Sequence, residues 1–332
     1  MELEIENKPL AALIDEYPAI VDFLQNLNLS SLNRADTLLN ALYALDPALL
    51  DEFGITPSDV PSQLADFLET RAREAGAFRA VRSVTILGGR DKSGAAENVT
   101  VEIHAGEVVS IVGPTGSGKS RLLADIECLA QADTPTGRRI LLDGREVTWE
   151  ERFELEGRIV AQLSQNMNFV MDLTVREFLE MHAGSRQTLR EGVIERVFEK
   201  ANDLAGEKFT LATRLTELSG GQSRALMIAD AAYMSASPIV LIDEIENAGV
   251  DRREAIALLA AREKIVLVST HDPLLALGAD SRIVIKNGGI FKVIATTETE
   301  KRSLAELEKI DRLLYNMRGK LRAGEMITAV DE

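Results

Sequence analysis

The sequence predicts an α/β protein with a buried parallel sheet, preceded by a smaller domain made only of helices. Two observations support this class. Apolar residues recur at helical spacing over the first 70 or so positions, whereas from Ala80 onwards short apolar runs of strand length alternate with helical segments. Three of these runs end in a glycine-rich turn, a pair of acids or a histidine. Polar residues at the carboxyl ends of parallel strands are typical of a ligand site.

The composition is that of a globular protein with more than one domain. The 332 residues are 45% hydrophobic and 27% charged, which allows a full core. Apolar runs are too short to cross a bilayer, and MELEIENKPL lacks the pattern of a signal peptide. We therefore expect a cytoplasmic protein without direct membrane insertion. The single cysteine, Cys128, has leucine and isoleucine neighbours, which predicts a buried structural thiol.

Negative charge is concentrated in the N-terminal part of the chain. Residues 1–78 carry 14 acidic and four basic side chains, which accounts for most of the net charge of −16. Such a segment repels nucleic acid and anionic lipid, so nucleic acid is not an expected partner. A solvated acidic surface explains the charge, and a docking surface for a basic partner is the alternative.

The N-terminal domain, predicted as residues 1–76, consists of four or five short helices. Apolar residues recur with a helical period from Leu10 to Leu24 and again from Leu38 to Leu68. The stretch IENKPLAALIDEYPAIVDFLQNLNL resembles a small helical module at the N-termini of some anaerobic redox and iron–sulfur-related proteins, in which a cysteine pair usually follows. Ser30 and Ser31 stand near that place here. The module therefore lacks the cysteines on which a redox role would depend.

The main domain, predicted as residues 77–300, begins with antiparallel strands and then reaches a glycine-rich turn. Val108–Val112 reads as a buried strand, and GPTGSGKS from Gly113 to Ser120 follows it. This spacing fits the phosphate-binding P-loop, in which glycines allow successive N–H groups to face an anion. Lys119 would contact the β and γ phosphates, and the Ser120 hydroxyl would bind Mg²⁺. The predicted nucleotide-binding residues of this segment are Gly113, Pro114, Thr115, Gly116, Ser117, Gly118, Lys119, Ser120 and Arg121.

A second buried strand carries two acids at its carboxyl end. PIVLIDE is apolar up to Ile242 and continues with Asp243 and Glu244. Asp243 is the expected water-mediated partner of Mg²⁺, and Glu244 is the expected base that polarises the attacking water. Both acids could instead cap a following helix, although their place beside a P-loop favours the first interpretation. A third strand, KIVLVST, leads to His271, which is placed to contact a γ phosphate.

These segments together resemble the nucleotide-binding domain of the ATP-binding cassette (ABC) superfamily. The resemblance extends from about Ala80 to Thr297 and keeps the family's order of P-loop, glutamine loop, signature, paired acids and switch histidine. LSQNMNFVMDLTVREFL resembles the glutamine loop, which implies that Gln165 senses Mg²⁺ and the attacking water. The implied fold is a P-loop NTPase of ABC type, with a mixed sheet core, an antiparallel β subdomain and a helical subdomain over about residues 166–217.

The stretch LSGGQ, Leu218 to Gln222, is the signature sequence of that family. It has no lysine, because in this family two chains meet head to tail and each signature closes on the γ phosphate held by the other chain's P-loop. The resemblance therefore implies a homodimer, at least when ATP is bound. A serine-capped helix would explain Ser219, but neither glycine nor Gln222. The signature residues expected to bind nucleotide are Ser219, Gly220, Gly221 and Gln222.

The resemblance implies an ATP hydrolase that binds ATP and Mg²⁺. The expected catalytic residues are Glu244, His271 and Gln165, and the expected metal-binding residues are Ser120, Gln165 and Asp243. The first functional hypothesis is conformational work on a soluble protein partner, with the N-terminal domain as adaptor. The interval between Asp251 and His271, shorter than in transporter subunits of the family, favours it. The alternative is the ATP-binding subunit of a membrane transporter with separate membrane chains.

The C-terminal part, residues 301–332, is predicted to form a helical extension. A hairpin with its turn at Asn287, Gly288 and Gly289 precedes it. After Ser303, leucine and isoleucine residues recur at helical spacing, and Ser303 is the predicted N-cap of this helix. The extension either packs on its own domain or contacts a partner.

The paired acids give the first testable prediction. Glu244→Gln should abolish ATP turnover and retain ATP binding, because the amide cannot accept a proton from water but leaves the phosphate loop intact. The ATP-bound chain should then accumulate as a dimer in size-exclusion chromatography, whereas the same variant with ADP should not. A Glu244→Gln protein that hydrolyses ATP normally would place the base elsewhere.

Overall fold

The computed structural model of the protein describes residues 8–17, 19–29, 32–45, 48–51, 53–79, 81–155, 157–164, 169, 171–185, 192–243 and 250–327. The chain divides into two compact units, Met1–Ala80 and Val81–Glu332. Across the described ranges, no helix combines the length and the apolar character needed to pass through a bilayer.

The N-terminal unit is helical in its described part. Its helices are α1 Leu10–Glu16, α2 Ile20–Asn26, α3 Leu38–Tyr43, α4 Ala48–Asp51 and α5 Val60–Arg79. Each contributes apolar side chains to one buried core, such as Leu10, Ile20, Leu38, Leu50 and Leu64. The fifth helix, with 20 residues, is longer than the short helices that the sequence predicts.

The second unit contains two sheets. Its strands are β1 Ser83–Leu87, β2 Thr100–His104, β3 Val108–Val112, β4 Arg139–Leu142, β5 Arg145–Glu146, β6 Val160–Leu163, β7 Ile239–Asp243, β8 Ile265–Ser269, β9 Ser281–Lys286 and β10 Gly289–Ala295. One sheet has the order β2-β1-β4-β5 and is antiparallel. The other has the order β10-β9-β3-β8-β7-β6, in which β10 pairs antiparallel with β9 and the other pairs are parallel. The predicted mixed α/β fold with an antiparallel subdomain is confirmed.

The helices of the second unit cover the parallel sheet and form a helical subdomain. They are α6 Lys119–Glu127, α7 Trp149–Leu155, α8 Val175–Ser185, α9 Val193–Leu204, α10 Gly220–Tyr233, α11 Arg252–Ala260, α12 Pro273–Gly278 and α13 Glu298–Arg322. Apolar residues of α8, α9 and α10 share one core with β7 and β8. The predicted cap at Ser303 is wrong. Helix α13 starts earlier because Thr297 and Glu300 form a capping box.

The predicted burial of Cys128 is also wrong. Helix α6 ends at Glu127, so Cys128 is its C-cap residue and lies exposed, beyond the apolar face of the helix. Its sulfur donates to the Asp125 carbonyl oxygen at 3.7 Å. Partial burial of the sulfur raises the pKa of the thiol, so the reactive thiolate is scarce at neutral pH.

A buried arginine joins three parts of the second unit. Arg138 is fully buried, and its guanidinium donates to Glu97 (Nε to Oε2, 3.0 Å) and to Asp125 (Nη1 to Oδ2, 2.9 Å). It also donates to the Gly288 carbonyl oxygen at 2.8 Å. Glu97 lies before β2, Asp125 on α6 and Gly288 in the β9–β10 turn. The ion cluster therefore ties the antiparallel sheet to the helix and hairpin beside the P-loop.

Hydrogen bonds keep Glu97 charged inside this cluster. Burial would raise the pKa of its carboxyl, but donation by Arg138 and by the N–H groups of Gly89 and Ile290 holds that pKa below the usual 4.5. Because the pKa is lower in the folded chain, the contribution of Glu97 to stability is full above about pH 4.5. It is lost as the pH falls through the folded-state pKa.

Removal of Arg138 should therefore destabilise the protein more at neutral than at acidic pH. Arg138→Met leaves the Glu97 carboxylate buried without its cation, and loss of one partner of a buried pair costs about 3–5 kcal/mol. Part of that loss should be recovered near pH 5, where the stranded carboxyl can bind a proton. Urea unfolding at the two pH values measures this. Arg139→Met, which removes an exposed pair with Glu146, is the matched control, and equal effects of the two substitutions would refute the prediction.

Candidate functional site

The parallel sheet brings three sequence-predicted segments to one edge. β3 pairs with β8, and β8 with β7, so that Ile111 is aligned with Ser269 and Ser269 with Asp243. The P-loop follows β3, Asp243 ends β7, and His271 follows β8. All three therefore lie where ligands bind in open α/β sheets, outside the carboxyl ends of the strands.

Two P-loop glycines meet close backbone neighbours. A Cβ at Gly113 would lie 2.4 Å from the Ile285 carbonyl oxygen, and one at Gly118, whose φ is +110°, would lie 2.9 Å from Gly288 Cα. The β9–β10 turn thus packs directly behind the loop, and Gly288 N–H donates to the Ser117 carbonyl oxygen at 2.7 Å. A side chain at either glycine would displace the loop, which explains these glycines in this chain.

The P-loop lysine lies buried at the site. Lys119 is 6% exposed, and its ammonium group lies 3.2 Å from the Gly113 carbonyl oxygen and 2.9 Å from Nε2 of His271. Since an ammonium group only donates, the Nε2 atom of His271 is the acceptor in this contact. Ser117 Oγ is buried and finds no hydrogen-bond partner within the described ranges. A buried cation with uncharged acceptors and an unused hydroxyl fit a phosphate ligand.

Two of the residues predicted to bind magnesium contact each other. Ser120 Oγ donates to Asp243 Oδ2 at 3.3 Å, which joins the first turn of α6 to the end of β7. A hydroxyl and a carboxylate are oxygen ligands of the type that Mg²⁺ prefers. Gln165 and Glu244, predicted at the metal and as the base, lie outside the described residues.

The signature forms the start of α10. Ser219 is the N-cap, its Oγ accepts from Gln222 N–H at 3.3 Å, and Gln222 Oε1 accepts from Ser219 N–H at 2.8 Å. This reciprocal capping box accounts for Gln222 within one chain. The expectation from the sequence that a helix cap leaves Gln222 unexplained is therefore wrong. Gln222 Nε2 also lies 3.3 Å from the Glu207 carbonyl oxygen, in the helical subdomain.

Gly220 has no such explanation in the part of the chain that the structure describes. Among those residues, a Cβ placed there would meet no atom within 4 Å, and its φ lies outside the left-handed region. Neither local packing nor backbone conformation requires glycine, which weakens a helix by about 0.5–1 kcal/mol relative to alanine. The residue is exposed, which leaves its backbone accessible to a group from outside this chain.

Other predicted residues lie at the rim of the site. Pro114, Thr115 and Arg121 are exposed, and Arg121 N–H donates to the Gly118 carbonyl oxygen at 3.1 Å. Sequence reasoning missed Lys92, whose Nζ donates to the Gly116 carbonyl oxygen at 2.8 Å. Lys92 lies in the β1–β2 connector, and nothing in the local sequence relates that lysine to the P-loop.

A strand, a P-loop and a helix, with an acid at the end of a neighbouring strand, define a P-loop nucleoside triphosphatase. The family model described as ABC transporter matches residues 96–247. An uncharacterized ABC transporter ATP-binding protein of Methanocaldococcus jannaschii is 54% identical over 252 residues, which are 76% of this chain and 97% of that protein. The chain belongs to the ABC transporter ATP-binding protein family, whose domain hydrolyses ATP.

Two further relatives add detail. The macrolide export ATP-binding/permease protein MacB of Brucella abortus is 34% identical over 215 residues. The aligned region covers 62% of this chain but only 32% of MacB. The structure of cbiO1 from Clostridium perfringens, part of the ABC transporter complex cbiONQ, has a TM-score of 0.52 at 21% identity. The superposition covers 70% of this chain and 94% of the cbiO1 chain, so the two chains share the fold.

Lys119→Ala should weaken ATP binding. A hydrogen bond to a charged group contributes about 1.5–3 kcal/mol, which corresponds to about 10- to 100-fold in affinity. Calorimetry measures this loss, and thermal unfolding checks that the fold remains. Lys301→Ala, which removes an exposed pair with Glu298 at the start of α13, is the control. Unchanged ATP affinity in Lys119→Ala would reject the assigned phosphate site.

Proposed function

We propose that this chain is the ATP-binding subunit of a membrane ABC transporter and that two copies form a head-to-tail dimer around ATP. The family membership and the names of the relatives support the transporter alternative over the soluble-partner hypothesis. The observation that carries the dimer is Gly220, an exposed glycine for which the described residues show no conformational or packing requirement. In this proposal the subunit acts in the cytoplasm, where ATP is available, and separate chains cross the membrane.

The residues of one chain supply half of each proposed site. Lys119, released from Gly113 and His271, would donate to the β and γ phosphates, and the P-loop N–H groups would hold the remaining oxygens. Ser120 and Asp243 would hold Mg²⁺ together with Gln165. When bound, that ion supplies charge neutralisation at the phosphates. His271 would donate to the γ phosphate from Nε2, which accepts from Lys119 here and would carry the ring hydrogen in the nucleotide complex.

The second half of each site would come from the other chain. In the other chain, Ser219 and the N–H groups of Gly220 and Gly221 begin helix α10, whose N-terminus carries a partial positive charge. A γ phosphate is the anion that fits this end, and Gly220 and Gly221 allow it to approach the backbone closely. Glu244 is the proposed base for the attacking water. Loss of the γ phosphate would remove the shared ligand and let the dimer open.

Mixing two inactive variants tests the head-to-tail dimer. Lys119→Ala destroys the P-loop half, and Gly220→Arg destroys the signature half, so each protein alone should lack ATPase activity. A mixed dimer contains one site with both halves intact, and activity should return when the two proteins are combined. Two different P-loop variants, Lys119→Ala and Gly118→Val, form the control mixture and should stay inactive. Full activity of Gly220→Arg alone would contradict the proposal.

The nature of the partner needs a separate experiment. Affinity purification of the full chain from detergent-solubilised membranes should retain an integral membrane protein, and the pair reconstituted in vesicles should hydrolyse ATP faster than the chain alone. The Lys119→Ala chain is the control for stimulated hydrolysis. A soluble protein that alone stimulates the ATPase would favour the other hypothesis.

One observation supports the hypothesis of a soluble protein partner. The alignment with the Methanocaldococcus jannaschii relative covers 97% of that protein but 76% of this chain. About a quarter of this chain therefore has no counterpart in the relative. An acidic helical unit of this size supports a role for residues 1–80 in binding a partner, which the same purification would identify.

A further inference from the structure

The contacts of Arg252, the first residue of α11, connect the C-terminal helix α13 to the turn that carries His271. Its Nη1 group pairs with Asp272, the residue after His271. Its Nη2 group lies 3.7 Å from Asp311 Oδ2 on α13. Arg252 also follows Asp251 directly, at the end of the chain segment that leads away from β7. One side chain therefore reaches the histidine turn and a helix outside the nucleotide site.

Asp272 is fixed from several sides, so its position determines that of His271. Its N–H donates to Thr270 Oγ1 at 2.9 Å, and its Oδ1 accepts from Leu274 N–H at 2.9 Å as the N-cap of α12. Its Oδ2 pairs with Arg252, and its side chain is only 9% exposed. A carboxylate this buried depends on its charged partner. Displacement of Asp272 would move the adjacent imidazole away from its contact.

Other ion pairs hold α13 on the same unit, and they do not involve the turn that carries His271. Arg253 pairs with Glu308 of α13. Near the start of the helix, Glu300 pairs with Arg282 of β9, and this hydrogen bond, with those from Thr297, lowers the pKa of Glu300 to about 2. Arg252 and Arg253 therefore both contact helix α13, but of these two residues Arg252 is the one that also pairs with Asp272.

We propose that Arg252 is a positioning residue for ATP hydrolysis, through which Asp311 of the C-terminal helix holds Asp272, and with it His271, in place. This inference rests on the proposed role of His271 at the γ phosphate. The Asp311 side chain is 39% exposed, and exposed ion pairs are weak. A partner that shifts α13 would therefore loosen Arg252 and slow hydrolysis, while nucleotide binding by the P-loop continues.

The test compares two neighbouring arginines by steady-state ATPase kinetics. Arg252→Gln removes the charge, and kcat should fall by about 10- to 100-fold, as expected for misplacement of a catalytic group. KM for ATP should stay within a factor of about two, because the P-loop contacts remain. Arg252→Lys should recover part of kcat. Arg253→Gln is the matched control, since it removes a contact with α13 but none with Asp272, and its kcat should equal that of the wild type.

Several outcomes would overturn the inference. Unchanged kcat in Arg252→Gln would do so, and so would equal losses in Arg252→Gln and Arg253→Gln, which would indicate docking of the helix rather than placement of the histidine. If Arg252 acts through His271, then Arg252→Gln should add no further loss to His271→Ala, and additive losses would contradict this.

The same series separates this inference from the function on which it rests. Wild-type kcat in His271→Ala would reject the proposed role of the histidine itself. A loss in His271→Ala without one in Arg252→Gln would reject the positioning role alone. Thermal unfolding of each variant in the presence of ADP shows that the folded protein is being compared.

Discussion

The parallel register of β3, β7 and β8 is the constraint on which the site depends. It places the P-loop, Asp243 and His271 at one edge of the sheet although more than 120 residues separate the first from the others. Apart from Ser110 of β3, these strands are apolar up to their carboxyl ends, so the sheet is buried between helices and its register is set by packing on both faces. Polar chemistry is thereby confined to the strand ends.

In the proposed dimer, each chain supplies half of the nucleotide site. Lys119 rests against an uncharged carbonyl oxygen and an imidazole, which are weak partners for a buried cation compared with a phosphate. The signature helix begins with an exposed glycine, Gly220, directly after the Ser219 cap. A buried ammonium group and a helix N-terminus both favour an anion, and we propose that a triphosphate shared between two chains contacts both. The ligand would then contribute the binding energy that holds the dimer together.

The sequence predicted the P-loop, its strand and the acid-ended strand because each is a local pattern of glycines or apolar residues. It did not predict the cluster of Arg138, Glu97 and Asp125, because those three residues are brought together by folding and no spacing relates them. The short strands β4, β5 and β6, of two to four residues, carry too few residues for a period. Lys92 could not be predicted for the same reason as the Arg138 cluster, because only folding brings it to the P-loop. The burial of Cys128 was mispredicted because helix α6 stops one residue before it.

The proposed shared site requires two chains for hydrolysis, and the dependence of ATPase activity on protein concentration tests this requirement most directly. Specific activity should rise with concentration and level off where sedimentation in saturating ATP and Mg²⁺ shows the dimer. A constant specific activity down to concentrations at which sedimentation shows monomer alone would contradict the shared site.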